Sequence, residues 1–453
     1  MGAVHAKQRG KADILEERDR NEELQDLNLK AKARVDKVSF NGIKRTKSPL
    51  LNYAISPLFS AKSFEEVIKT THEVRTHLNR LGIFKKIAID IETSKGPESS
   101  PYGYEVTFHV HEVDLMSVAL STQLANNEAL LSVRGSLTNV LGKAEGLRGE
   151  YSYGTLKTNN MALIMSKPFL TKLEPVGSAS IFRNDSDWPV SGYRLRDTGM
   201  MLDLALSVTS QMRHNLQYEV DWRQLYPSSK YAAFEVREDA GHKLKSALRH
   251  ILTLDRRDNP IFPVSGTMLK TTVEYSGLGG NINFLKGDLA MQWNVPLIKD
   301  VILQAGCNVG HMYKWDESHT VADNFFLGGP LDIRGFNFRS LGPQNDGNFV
   351  GGSTYYAASL HIFSPLPFRP GEGGFGDYFR SHLWINAGNC GDFTSDKGGD
   401  NHLETIRVAA GIGIAFKLGN VARTEINYCF PLKFLSGDGK VSGIQFGVGM
   451  NFL

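Results

Sequence analysis

The chain has 453 residues, 41% of them hydrophobic and 22% charged, and its 51 basic and 48 acidic side chains leave a formal charge of +3. That near balance presents no basic face for nucleic acid, and three cysteines, Cys307, Cys390 and Cys429, are too few and too scattered for a disulfide scaffold or a structural zinc site. A membrane-spanning helix needs about 20 consecutive apolar residues, whereas the best run, Val408 to Phe416, has nine with two glycines among them.

Residues 1–30 hold no apolar core for a secretory signal, and Asp13, Glu16, Glu17, Asp19, Glu22, Glu23 and Asp26 make them too acidic for a transit peptide. They read as a flexible, mixed-charge arm. From 31 to 113 the pattern is that of a small α/β domain of order β-α-α-β-β. Val35, Val38 and Phe40 form a strand that ends at Asn41-Gly42, and Pro49 to Ile55 form a short helix. Ser63 and Glu66 predict a capping box at the start of a longer helix. Phe64, Val67, Ile68, Thr71, Val74, Leu78 and Leu81 share one face of that helix, and Gly82 closes it. Two strands follow, Ile83 to Ile91 and Tyr104 to Glu112. His109 and His111 share a face of the second, with no third metal ligand beside them.

From residue 114 to 453 the period is two. Ile444, Phe446, Val448, Met450 and Phe452 lie on one face of the last strand, opposite Gly443, Gln445, Gly447, Gly449 and Asn451. Leu383, Ile385 and Ala387 oppose His382, Trp384, Asn386 and Gly388, and at the start Met116, Val118 and Leu120 oppose Ser117, Ala119 and Ser121. Each segment is about ten residues long, one face apolar and the other small or polar, as in a tilted membrane strand. At roughly 21 residues per strand and connection, this region holds about 16 strands, an even number suited to antiparallel closure. The predicted fold is therefore an all-β membrane protein: a 16-stranded antiparallel transmembrane β-barrel preceded by a small α/β domain. A propeller would need a repeat of about 40 to 50 residues, and none is present.

Between two strands lies Asn324-Phe325-Phe326-Leu327-Gly328-Gly329-Pro330-Leu331-Asp332-Ile333-Arg334-Gly335-Phe336, followed by Leu341-Gly342-Pro343. An Arg-Gly-aromatic triplet in a long connection of an alternating β array, after a β-α-α-β-β module, resembles the outer-membrane assembly-factor superfamily: a POTRA (polypeptide-transport-associated) domain followed by a 16-stranded barrel. The run Asp255 to Gly266 is similar to a strand-leading signature of that family, and Leu366 to Gly376 resembles its mitochondrial branch, the central barrel of the sorting and assembly machinery.

The resemblance implies that Ile333, Arg334, Gly335 and Phe336 lie on a loop folded into the lumen, with Arg334 held by acidic groups of the inner wall. The sequence departs from the family there. Asn386 stands where an acid is expected and His361 where a glutamate often lies, so Asn386 offers Arg334 a hydrogen bond, and Glu425, inward-facing opposite Ile426, is one candidate anion.

Family clients end in a polar-x-Gly-x-x-hydrophobic-x-hydrophobic signal, and this chain's own end reads Gln445-x-Gly447-x-x-Met450-x-Phe452. The implied function is insertion of β-barrel precursors, porin among them, into the mitochondrial outer membrane. It would proceed by strand pairing at a lateral seam between a first strand carrying Met116, Val118 and Leu120 and the last strand. Glycines on the last strand either ease seam opening or fill a narrow lumen. The implied partners are metaxin-type outer-membrane subunits, a cristae-organising inner-membrane complex and the lipid bilayer, with the POTRA domain in the intermembrane space and no cofactor. No G-x-S-x-G, H-E-x-x-H or Walker lysine points to an enzyme. The rival readings are a passive porin or secretion pore, and a structural anchor between two membranes.

Overall fold

The computed structural model describes residues 30–453 except 96–98, 126–127, 172, 174, 299, 316–319, 367–374, 393–404, 420–421 and 450–451. The mixed-charge arm before residue 30, most of the Leu366–Gly376 run, and Met450 lie outside the described residues. The chain divides into two compact units, 1–117 with 137–146, and 118–136 with 147–453.

The smaller unit is built from β1 (Arg34–Asn41), α1 (Ser48–Ile55), α2 (Phe64–Arg80), β2 (Phe84–Thr93) and β3 (Gly103–Glu112). Its sheet order is β1-β3-β2, with β3 parallel to β1 and antiparallel to β2. The last strand in sequence is thus the central one. Val67, Thr71, Val74 and Leu78 form the buried face of α2, and Val35, Val106 and Phe108 are buried in the sheet. Ile68, expected on that face, is exposed. The helix start departs from a reciprocal capping box. Ser63 Oγ accepts from the Glu66 N–H (3.2 Å), but the Glu66 carboxylate takes the Lys62 N–H (2.8 Å), one residue earlier than that pattern requires. Gly82 ends α2 with φ +67°.

This unit also contains a buried polar knot. Glu112 accepts from the Thr46 hydroxyl (2.6 Å), the Thr46 N–H (2.9 Å) and the Arg45 N–H (3.2 Å), and pairs with the Arg45 guanidinium (3.3 Å). Asn139, from the turn that clusters with this unit, donates to Thr46 Oγ1 (2.9 Å) and accepts from the Ala144 N–H (2.9 Å).

The larger unit is a single 16-stranded antiparallel sheet, the transmembrane barrel expected from the period-two pattern. Its first strands are β4 (Met116–Ala125), β5 (Glu128–Thr138), β6 (Gly146–Gly154), β7 (Asn159–Pro168), β8 (Val176–Trp188), β9 (Tyr193–Ser207) and β10 (Met212–Pro227). After a short helix α3 (Phe234–Glu238) come β11 (Gly241–Asp255), β12 (Gly266–Ser276), β13 (Phe284–Ile298) and β14 (Val301–Lys314). A long loop carrying the two-residue strands β15 (Gln344–Asn345) and β16 (Asn348–Phe349) intervenes, and β17 (Thr354–Pro365), β18 (Phe379–Gly391), β19 (Arg407–Leu418), β20 (Ala422–Lys433) and β21 (Gly443–Gly449) complete the sheet. β14 pairs directly with β17, so the loop leaves the sheet without breaking it.

The faces sort as the alternation requires. Ile181, Leu202, Leu383, Ile412 and Ile444 are exposed on the outer wall, which only hydrocarbon would cover at low cost. Tyr275 and Tyr313 meet Trp315 edge-on, ring pairs that suit a membrane interface. Among the described residues, no helix is long and apolar enough to cross a membrane. Inside, a cluster of Phe284, Phe325, Leu327, Ile333, Phe336, Leu341, Trp384 and Leu453 joins the long loop to the wall. The turn after β11 packs Ile261 and Phe262 on Ile302, Phe363 and Ala415, and Arg380 donates to the Pro263 carbonyl (3.0 Å).

Candidate functional site

The long loop, 315–353, carries Ile333, Arg334, Gly335 and Phe336, all buried. Gly335 has φ +83°, and a Cβ there would lie 2.9 Å from the Ala409 Cβ, so both backbone angle and space require glycine. The Arg334 side chain is fully buried and spends its donors on three partners. Nε and Nη2 reach Glu425 Oε2 (3.0 and 2.9 Å), while Nη1 donates to the Leu453 carbonyl (2.9 Å) and lies 3.4 Å from His361 Nε2. Glu425 also pairs with Arg423 (3.0 Å) and accepts from Asn427 (3.1 Å). One carboxylate therefore serves two guanidinium groups. A buried charge set of this kind is stable only when every member keeps its partner.

The second half of the site is the last strand. Gln445 spends both ends of its amide on the loop backbone: Oε1 accepts from the Gly335 N–H (3.0 Å) and Nε2 donates to the Phe336 carbonyl (2.8 Å). The Val441 N–H donates to the Gly335 carbonyl (2.8 Å), the Asn337 N–H to the Gly439 carbonyl (2.7 Å), and the Leu453 N–H to the Leu331 carbonyl (2.9 Å). At Gly447 a Cβ would fall 2.8 Å from Pro330 Cβ, and at Gly449 one would fall 2.8 Å from a Leu331 methyl. Gly447 and Gly449 are the bed in which Pro330 and Leu331 lie.

A second anchor fixes the loop's first leg. Asp323 pairs with Arg223 (2.8 Å) and Lys245 (3.5 Å), and Lys286 donates to its carbonyl (2.7 Å). Burial works to raise the Asp323 carboxyl, but Arg223 and Lys245 hold it well below the usual carboxylate range. Further along, Arg339 packs on the Trp188 and Phe326 rings.

Several sequence expectations change. Asn386 meets Arg334 at its backbone and not at the guanidinium: with the amide turned so that both its ends are satisfied, the oxygen accepts from the Arg334 N–H (2.7 Å) and the nitrogen donates to the Ala409 carbonyl (3.1 Å). Phe452, expected on the outward face with Ile444 and Phe446, is buried, with the Arg423 and Arg334 guanidinium groups over its ring. Phe452 lies beyond the described part of β21, Gly443–Gly449, whose alternation therefore does not extend to it. His361, named as an inner-wall partner of the loop, lies beside the Arg334 guanidinium (3.4 Å), stacks on His382 and reaches the Leu453 carbonyl (3.0 Å). Met116, Val118 and Leu120 are exposed on the outer wall, and β4 and β21 occupy the two ends of the ladder order. Among the described residues no ladder joins those two strands.

Leu453 and Asp323 escaped the sequence reading altogether. Both act through contacts distant in the chain. The one available signal was the set of charged residues at inward positions of adjacent strands, Asp221, Arg223 and Lys245.

Comparisons with known proteins agree with this geometry. The Omp85 superfamily domain matches residues 139–452. The sorting and assembly machinery component 50 homolog of Bos taurus is 39% identical, over 92% of this chain and 90% of that protein, and the Homo sapiens homolog has the same identity and coverage. The crystal structure of BamA from Haemophilus ducreyi lacking POTRA domains 1-3 superposes with a TM-score of 0.76, over 92% of this chain and 84% of that one. At 16% identity that likeness is one of fold.

Proposed function

This chain belongs to the Omp85 superfamily and, within it, to the sorting and assembly machinery component 50 homologs, and from that premise we propose that it folds and inserts β-barrel precursors into the mitochondrial outer membrane. Porin-type precursors are the expected clients. The carrying observation is that the lumenal loop is bonded to the last strand, at the positions of its polar-x-Gly signature, beside a sheet in which, among the described residues, the first and last strands are not laddered to each other.

The mechanism follows from strand pairing. β4 offers backbone donors and acceptors on its free edge, and an incoming client strand pairs with it by β-augmentation. Among the described residues β21 pairs with β20 over seven positions, against fourteen between β10 and β11, so that part of its ladder is a short one to give up. The flanking strands β4, β6 and β7 are also short, at 10, 9 and 10 residues. Hydrocarbon matched to them is thinner than at β9 to β11, which lowers the cost of passing polar loops. A client end with a polar residue followed two positions later by glycine reproduces Gln445 and Gly447, so it fits the loop as well as the edge.

In the same reading the smaller unit is a POTRA domain in the intermembrane space that receives precursors. Metaxin-type subunits and a cristae-organising inner-membrane complex are the proposed protein partners. A passive porin is the weaker reading, because the loop and its core cluster occupy the lumen.

The test is import of radiolabelled porin precursor into mitochondria depleted of the protein, with wild type or Arg334→Ala restored. Wild type rescues conversion of the precursor to a protease-resistant membrane complex, and Arg334→Ala does not. Normal porin assembly with a fall only in small-solute flux would overturn the reading in favour of a channel.

A further inference from the structure

Arg183 is a guanidinium on the outer wall that, among the described residues, no acid neutralises. Arg183 lies on β8 between Met161 of β7 and Thr198 of β9, on the face that also carries exposed Ile181 and Leu163. It is exposed, and among the described residues it has no hydrogen-bond or ion-pair partner. Its neighbours on the next strand differ in this respect: Arg194 and Arg196 are paired with Asp185 (2.6 and 2.9 Å). The register sets its depth. Asn159, the first residue of β7, pairs with Asp185, so Arg183 stands two residues in from the end of a short strand, where hydrocarbon gives way to headgroups.

A groove of about 560 Å³ runs from Arg183 into the apolar wall, along Ile181, Met161, Leu163 and Tyr151, to Gly135 and Gly149. Nothing lies within 4 Å of where a Cβ of either glycine would stand, so both hold the groove open. Glu150, the acid at this wall, is already paired with Arg134 (3.0 Å). A cation at headgroup depth with no partner among the described residues, at one end of an open apolar groove on the outer wall, has the form of a lipid site.

We infer that β5 to β8 hold an anionic glycerophospholipid, its phosphate on Arg183 and one acyl chain in the groove that Gly135 and Gly149 leave open. Charge complementarity selects the anion over a zwitterion. The site is separate from the loop and the seam, so it stands or falls independently of the insertase reading.

The full-length protein in nanodiscs of equimolar dioleoyl phosphatidylglycerol and dioleoyl phosphatidylcholine is extracted into detergent, and the lipid that stays bound is read by native mass spectrometry. The expected result is enrichment of phosphatidylglycerol that falls about fivefold in Arg183→Gln, the weight of one basic side chain at an anionic surface. Arg183→Lys should keep most of the enrichment. Gly149→Leu should lower retention of both lipids by filling the groove. The compact gel mobility of the unheated barrel checks that each variant is folded. Equal retention of the two lipids by wild type, or a folded Arg183→Gln that retains phosphatidylglycerol unchanged, would overturn the inference. So would a folded Gly149→Leu that keeps its lipid and loses a co-purifying protein instead, since the groove would then be a protein interface.

Discussion

Gln445 is the residue whose substitution separates loop docking from strand pairing. Gln445→Ala keeps the β21 backbone ladder but leaves the Gly335 N–H and Phe336 carbonyl buried without partners. Each orphaned group costs about 1–3 kcal/mol, so the temperature at which the barrel loses its compact gel mobility should fall by several degrees. An unchanged transition would mean that the amide contacts are incidental. Arg334→Ala is the harsher change, because it leaves the Leu453 carbonyl and Glu425 each short of a donor in a fully buried cluster. Breaking a buried ion pair costs about 3–5 kcal/mol, and Arg334→Lys should recover only part of it, since one ammonium cannot span Glu425 and Leu453 as the forked guanidinium does. At this scale the sequence was a partial guide. Alternation placed Glu425 and Gln445 inward, and that parity is enough to nominate them. It could not show that Asn386 serves a backbone N–H, nor that Phe452 is buried beneath Arg334 and Arg423, because both depend on partners far away in sequence.

Among the elements, the loop and β21 form one body. Their bonds at Val441, Gln445 and Leu453 mean that loosening either loosens the other. Gly447→Val tests this directly: its side chain collides with Pro330, and overpacking of this kind costs about 1–3 kcal/mol. Trypsin cleavage after Arg339, a buried site, should then accelerate while the outer-wall strands stay protected. The smaller unit makes a separate, pH-dependent prediction. Burial tends to raise the Glu112 carboxyl, but the hydrogen bonds from Thr46 and Arg45 outweigh it and hold the pKa at about 2. With the folded value below the unfolded one, the stabilisation is fully present above the ordinary carboxylate range and is lost as pH falls from about 4.5 toward 2. Glu112→Gln should thus speed hydrogen exchange of β3 in the full chain at pH 7, by about 2 kcal/mol of lost protection, and the gap from wild type should close in the acid range. A gap independent of pH would show that the carboxylate's charge is not what Thr46 and Arg45 bind. The helix and strands of this unit were legible from capping and periodicity. The central place of β3 was not, since a parallel pairing across the sheet leaves no mark on local pattern.

In the larger unit the sheet runs from β4 to β21, among the described residues no ladder joins those two strands, and the long loop holds the second of them. Strand length, an apolar outer face and a small inner face made the barrel readable, because hydrocarbon imposes those properties on every spanning strand. What the pattern could not give is the loop's allegiance, which is to the last strand as much as to the wall. If a client's final strand takes the place of β21, its polar signature residue must arrive where Gln445 now meets Gly335 and Phe336. The direct measurement is photocrosslinking of a porin precursor arrested during insertion, with a benzoylphenylalanine in place of that polar residue. The account predicts adducts to residues 333–337 of the loop, lost in Gly447→Val only if the loop itself is displaced. Adducts confined to the outer wall or to the smaller unit, with none to the loop in the wild type, would contradict it.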